Sequence, residues 1–142
     1  MTDNINPSHY RQHAHECIEF TQHLNFNLGN AFKYIWRHKE KGGREDLEKA
    51  VWYLERQRDD APKFKKIRYR RYLKIIDDLH DCEFDNEIRV ALAGVLFIGL
   101  YGNNRDSEDY FAGVITRVKT LLNKMPSESP MPSENTPNPE RK

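Results

Sequence analysis

Residues 28–55, LGNAFKYIWRHKEKGGREDLEKAVWYLE, decide the fold. On both sides of the Gly42–Gly43 pair, apolar residues recur at steps of three and four, which is the spacing of one helical face. The two glycines interrupt this pattern and are typical of a helix end. The stretch therefore predicts two antiparallel helices, 28–38 and 44–58, joined by a short glycine turn.

Helical periodicity continues outward from this hairpin, and no stretch alternates apolar and polar residues as a half-buried strand would. The further expected helices are 7–24, 63–79, 86–101 and 110–125. Residues 126–142 are rich in Pro, Ser, Glu and Asn, which predicts a disordered tail. The predicted fold class is all-α: a compact bundle of about five to six helices, forming a single domain over 1–125, followed by this tail.

The composition, 37% hydrophobic and 32% charged residues, contains no apolar run near the roughly 20 residues of a membrane span. The opening residues, MTDNINPSHY, lack the basic region and apolar stretch of a secretory signal. We therefore expect a cytoplasmic protein without a membrane partner. Cys17 and Cys82 have no CxxC spacing and are expected to be free thiols in a reducing compartment.

The net charge is only +1, but the basic residues are clustered. Lys63 to Lys74 contains seven basic residues and no acidic one. A second basic cluster occupies the hairpin around Lys33, Arg37 and Arg44. Local positive fields favour an anionic ligand, whereas the near-neutral total argues against a dedicated binder of duplex DNA.

Four motifs appear in order with short gaps: NPSHY at 6–10, ECI at 16–18, LGNAFKYIWR at 28–37 and EDLEKAVWYLE at 45–55. This series resembles the phage SaV-like family of small proteins, over residues 6 to 56. The family includes a phage nucleotide kinase that acts on deoxynucleoside monophosphates. The resemblance thus implies a nucleotide-kinase-like region at 6–60, a nucleoside triphosphate donor and the host-cell cytoplasm, and it assigns nothing to 63–125.

A kinase built on this chain has no P-loop. Gly94 and Gly99 have the glycine spacing, but Leu100 and Tyr101 follow them and the whole run is typical of a buried helix. Phosphates must therefore be bound by side chains and by the glycine turn.

Lys33 and Arg37 lie four residues apart, hence on one helical face, and the turn after them leads to a helix N-terminus. The predicted nucleotide- and phosphate-binding residues are Lys33, Tyr34, Arg37, Gly42, Gly43 and Arg44. Tyr34 or Trp36 would stack on the base. The alternative is that Lys33 and Arg37 form a solvated face and that Trp36 belongs to the core.

His9 is a candidate general base, or a donor to a phosphate when protonated. Asp46 and Lys49 complete the predicted catalytic set because they lie inside the fourth motif. Magnesium is compatible with carboxylates of the 44–58 helix, although ordinary helix roles explain the same residues.

His9, His13 and Cys17 share one stripe of the helix expected at 7–24, and imidazole and thiolate groups are zinc ligands. This stripe spans about 12 Å, too long for one ion. We therefore predict no metal site there.

Three functions of different classes remain open. The first is phosphoryl transfer to a deoxynucleoside monophosphate. The second is nucleotide binding without turnover. The third is an inhibitor or adaptor that binds a host protein or single-stranded nucleic acid through a basic Lys63–Lys74 helix. Nucleotides are the expected partners, nucleic acid is disfavoured, and a homo-oligomer is left open.

Overall fold

The structure is a computed structural model that describes residues 13–102 and 107–126. In these two ranges it contains α-helices and no β-strand, which confirms the all-α prediction. The helices are α1 (Ile18–Thr21), α2 (Phe26–Arg37), α3 (Gly43–Asp60), α4 (Tyr69–His80), α5 (Asn86–Tyr101) and α6 (Glu108–Lys124). The predicted tail lies outside the described residues except for Pro126.

The predicted helical hairpin is formed by α2 and α3. Helix α2 begins where the Asn25 side chain accepts a hydrogen bond from the backbone N–H of Leu28, at 2.9 Å. The amide of Asn25 also donates to Gln57 near the end of α3, at 2.8 Å, and so ties the start of one helix to the end of the other. The antiparallel arrangement follows from this contact. The buried residues of the pair are Leu28, Ala31, Phe32, Ile35, Trp36, Leu47, Ala50, Val51 and Leu54.

Helix α5 is the central helix of the bundle and contacts α2, α4 and α6. Its two inner glycines allow close packing. A Cβ added at Gly94 would lie 2.6 Å from a methyl group of Val114 on α6, and one at Gly99 would lie 2.8 Å from Ile67. The interpretation of this run as a buried helix, not a phosphate loop, is confirmed. None of the helices in the two described ranges combines the length and the apolar composition of a membrane span.

The helix expected over 7–24 is much shorter in the described residues. Residues 13–15 form bends, and α1 begins only at Ile18. The Glu19 carboxylate accepts a hydrogen bond from the backbone N–H of Glu16, at 2.9 Å, just before α1 begins. The ring of His13 stacks on Phe84 with centroids 4.1 Å apart, a tertiary contact made by a residue outside α1. Residues 7–12 of the expected helix lie outside the described residues.

The helix expected over 63–79 also begins later, at Tyr69. Ala61 ends α3 in the left-handed conformation, with φ of 47°, and Pro62 follows it. The backbone N–H of Ile67 donates to the carbonyl of Gly99, at 2.9 Å, and the Ile67 side chain is buried. This pairing with α5 replaces the first turns of a helix. The prediction of one continuous basic helix is therefore wrong for its first half. The adaptor hypothesis stays a prediction, which now concerns an extended basic segment followed by a helix.

We expect Gly94→Ala to lower the free energy of unfolding by about 1 to 3 kcal/mol, because the added methyl group would overpack the contact with Val114. Urea denaturation of the variant and the parent protein measures this difference.

Gly113→Ala on α6 is the matched control, since a Cβ there meets nothing within 4 Å. It should raise stability by roughly 0.5 to 1 kcal/mol, because alanine favours the helix more than glycine does. Equal losses in both variants would contradict the close packing at Gly94.

His38 follows the last turn of α2 and supplies a pH-dependent contribution to stability. Its ring is buried, and its Nδ1 lies 2.7 Å from the carbonyl oxygen of Ile35. Burial lowers the pKa of His38 below its ordinary value. The stabilisation is therefore present above the ordinary histidine pKa and is lost as the pH falls from there through the lowered pKa. In His38→Asn, urea midpoints measured between pH 7 and pH 5 should change less than in the parent protein; an unchanged slope would contradict this assignment.

Candidate functional site

The polar faces of α2 and α3 meet around Tyr34. Its ring centroid lies 4.5 Å from Nζ of Lys33, 5.0 Å from Cζ of Arg37 and 5.3 Å from Nζ of Lys49. Lys33 and Arg37 come from the helix of Tyr34 itself, whereas α3 contributes Lys49. The structure thus brings together four of the residues predicted from the sequence, with three cations around one aromatic ring.

Further aromatic side chains extend this surface along α3. Tyr53 stacks against Tyr34 with ring centroids 6.0 Å apart, and Trp52 contacts Tyr53 edge-on at 5.0 Å. The Trp52 side chain is 53% exposed. We call these six residues the Tyr34 surface: Lys33, Tyr34, Arg37, Lys49, Trp52 and Tyr53.

Trp52 and Tyr53 were not among the site residues predicted from the sequence. A signal for both was present, because Lys49, Trp52 and Tyr53 are separated by three and four residues and fall outside the apolar stripe of α3. Trp36 was predicted as a possible stacking residue. Trp36 is instead buried, with its ring 5.5 Å from that of Phe20, so the alternative that Trp36 is core is correct.

Arg37 is held by a buried carboxylate. Its Nε lies 3.1 Å from Oδ2 of Asp46 and its Nη2 lies 3.3 Å from Oδ1, while Asp46 is 1% exposed. Oδ2 also accepts the backbone N–H of Gly42, at 2.9 Å. Asp46 therefore closes the turn between the two helices. Both of its oxygens are engaged, which does not support the catalytic role predicted for Asp46.

The glycine turn binds this internal carboxylate and offers no glycine donor to an external phosphate. The N–H of Gly42 donates to Asp46, and the N–H of Gly43 donates to the carbonyl of His38, at 2.8 Å. A Cβ at Gly42 would lie 2.4 Å from the Asp46 carboxylate, and Gly43 has a φ of +56°. The glycines are thus explained by the turn itself, and the prediction of Gly42 and Gly43 as phosphate contacts is corrected.

Arg44, another predicted phosphate contact, lies against the end of α6 and not on the Tyr34 surface. Nη1 of Arg44 donates to the carbonyl of Leu122, at 2.8 Å, and so joins α3 to the end of α6. This contact gives Arg44 a structural role in place of the predicted phosphate contact. His9 lies outside the described residues.

The two lysines of the Tyr34 surface have weaker partners than Arg37. Nζ of Lys49 lies 3.7 Å from a carboxylate oxygen of Glu45, and both side chains are well exposed. In the described part of the chain, no carboxylate lies within 4 Å of Nζ of Lys33. Lys33 and Lys49 are therefore the cations best placed to bind an external anion.

Neither cysteine offers a thiolate to a nearby reaction. Both are free thiols, as expected from the sequence. Burial raises the pKa of Cys17 to about 12 and that of Cys82 to about 11. Both side chains therefore stay protonated near neutral pH and act as small apolar groups.

Residues 5–55 match the model of a family described as a protein of unknown function (DUF3310). The match covers 51 of the 142 residues and includes all of the Tyr34 surface. No curated protein and no solved structure matches the chain.

We expect Asp46→Ala to lower the free energy of unfolding by about 2 to 3 kcal/mol. The substitution removes the acceptor of the Gly42 N–H and leaves Arg37 without its buried partner; because Arg37 is partly exposed, the loss should fall below that of a fully buried pair. Urea denaturation measures the change.

Glu45→Ala is the control, because Glu45 is the neighbouring acid in the first turn of α3 and its side chain is 71% exposed. Its loss should stay below about 1 kcal/mol. Similar losses in the two variants would mean that Asp46 does not close the turn.

Proposed function

We propose that the Tyr34 surface binds a nucleotide, with Lys33 and Lys49 at the phosphates and Trp52 against the base. The convergence of three cations on the Tyr34 ring carries this proposal. Like charges that lie close together repel each other, and a bound phosphate relieves this repulsion while it gains charge-assisted hydrogen bonds.

The three cations are assigned different roles in nucleotide binding because their ion-pair partners differ. Arg37 is paired with the Asp46 carboxylate, which offsets its charge and holds its guanidinium at a set position. Lys33 and Lys49 lie on the helix surfaces with long flexible side chains and can turn toward a phosphate. Tyr34 lies among the cations; its role is to hold them together through cation–π contacts, in place of the base stacking expected from the sequence.

Trp52 is the better platform for the base. More than half of its surface is exposed, and an aromatic ring can stack on any nucleobase. The Arg56 guanidinium lies over the ring, with Cζ 5.5 Å from the centroid, so a base would stack on the part of the ring that Arg56 leaves open. Tyr53 lies between Trp52 and Tyr34, in contact with both rings. The cations and the proposed stacking platform are therefore separated by one ring, that of Tyr53.

The reaction proposed for this site is phosphoryl transfer from a nucleoside triphosphate to a deoxynucleoside monophosphate, as the family resemblance implies. Such transfer depends on positioning and on stabilising negative charge, which Lys33 and Lys49 can supply. Magnesium would enter with the donor phosphates. His9 is the remaining candidate base, since the Asp46 carboxylate is engaged in the turn.

That engagement of Asp46 favours a second candidate, a nucleotide-binding protein without turnover. The two are distinguished by incubating the purified protein with each deoxynucleoside monophosphate and a triphosphate donor, with and without a chelator. Formation of the diphosphate supports the kinase. Binding without diphosphate supports the second candidate, and absence of both rejects the proposed site.

Lys33→Ala should weaken the binding of a deoxynucleoside monophosphate by roughly 10- to 100-fold, since a charge-assisted contact contributes on the order of 1.5 to 3 kcal/mol. Lys49→Ala should act in the same direction. Isothermal titration calorimetry gives both affinities.

The control is the double variant Lys63→Ala with Lys65→Ala, two exposed lysines of the extended segment before α4. It removes more charge than either single variant but should leave the affinity nearly unchanged. If the control abolishes binding while Lys33→Ala binds normally, the site lies on the other basic cluster.

A further inference from the structure

A second group of ionisable side chains meets beside α1 and is not used by the Tyr34 surface. His15 and Glu19 come from the N-terminal part of the chain, while Asp78 and Asp81 come from the last turn and the C-cap of α4. Nε2 of His15 lies 3.7 Å from Oδ1 of Asp78 and 3.8 Å from Oδ2 of Asp81. The imidazole therefore faces two carboxylates from a distant part of the sequence.

The other ring nitrogen of His15 is already fixed. Its Nδ1 lies 3.0 Å from Oε1 of Glu19, and the second Glu19 oxygen accepts the backbone N–H of Glu16, at 2.9 Å. With Nδ1 as the donor to Glu19, the neutral ring carries its lone pair on Nε2, pointing at the carboxylates. Their oxygens cannot donate a hydrogen bond to it, and 3.7 Å is too long for one.

We propose that Nε2 of His15, Asp78 and Asp81 bind one divalent transition-metal ion of the zinc type, with Glu19 orienting the imidazole. A tetrahedral zinc ion with bonds of about 2.0 to 2.2 Å holds its ligands roughly 3.3 to 3.6 Å apart. The distances from Nε2 of His15 to the two carboxylates, 3.7 and 3.8 Å, need to close by only a few tenths of an ångström. His15, Glu19 and Asp78 already place potential ligand atoms within 4.8 Å of one another, and the 68% exposed Asp81 side chain has to turn toward Asp78 to complete the set. A carboxylate behind a ligating histidine is the usual outer partner in such sites.

The donor set also fits the metal class. One imidazole nitrogen and two carboxylate oxygens suit zinc better than magnesium, which prefers oxygen ligands alone. A fourth position is left for water. The nearby Cys82 is not included in the ligand set, because its side chain is buried and its Sγ donates to the backbone carbonyl of Asp78, at 3.6 Å.

One cation already touches the group. Nζ of Lys74 lies 2.9 and 3.0 Å from the two oxygens of Asp78. Lys74 is 62% exposed and sits at the end of a flexible side chain, so it can withdraw when an ion binds. The rival explanation of the geometry is that a protonated His15 is itself the cation between the carboxylates, because the hydrogen bond with Glu19 raises the pKa of His15.

Titration of the untagged, chelator-stripped full chain with Zn²⁺ at pH 7.5 tests the proposal. Calorimetry should show one ion per chain, and Co²⁺ should give the intense visible absorption of a tetrahedral site. Asp81→Asn changes an exposed side chain, so it should remain folded while it weakens Zn²⁺ binding at least tenfold. Glu19→Gln should weaken binding by about 10- to 100-fold through the orientation of His15.

The matched controls are His80→Ala and Asp77→Asn, which remove an exposed histidine and an exposed carboxylate from the same end of α4. Both should bind Zn²⁺ with the affinity of the parent protein. Absence of stoichiometric binding would overturn the proposal in favour of the protonated histidine. Binding that survives in Asp81→Asn and His15→Ala but is lost in either control would overturn it as well.

Discussion

The buried carboxylate of Asp46 is the interaction on which the helical hairpin and its surface depend. An uncompensated charge at 1% exposure would be very costly, so its partners must be in place when the chain is folded. Arg37 comes from the end of α2 and the N–H of Gly42 from the turn. The Asp46 side chain therefore fixes three features at once: the turn, the start of α3 and the position of the Arg37 guanidinium.

This arrangement separates two uses of positive charge. At the turn, the positive helix end and Arg37 are neutralised by an acid of the chain itself. One or two helical turns away, Lys33 and Lys49 are gathered around Tyr34 with no comparable internal partner in the described ranges. The anion site predicted at the Gly42–Gly43 turn is therefore occupied by the Asp46 carboxylate. The candidate anion site that remains is the Tyr34 surface, which is built from side chains on two rigid helices.

The sequence predicted the hairpin, α5 and α6 well, because their apolar residues follow a helical period over three turns or more. It failed where a tertiary contact overrides local preference. Ile67 pairs with Gly99 across the bundle, and His13 stacks on Phe84; neither contact leaves a trace in the local pattern.

The candidate site was likewise predicted only where local spacing determines it. Spacing was enough to put Lys33 and Arg37 on one face, and the motifs drew attention to Lys49. The burial of Asp46 could not be foreseen, since an acid in the first turn of a helix normally points to solvent. The meeting of His15 with Asp78 needed the packing of α4 against the N-terminal part, which no spacing reveals.

Nucleotide binding on the Tyr34 surface, as proposed above, can be tested by NMR. Backbone amide and indole N–H signals are recorded during titration with a deoxynucleoside monophosphate. We expect the largest shifts at Lys33, Tyr34 and Lys49 and at the Trp52 indole, with little change elsewhere. Shifts concentrated instead in 63–74, or in the groove between α5 and α6 near Thr116 and Arg117, would contradict it.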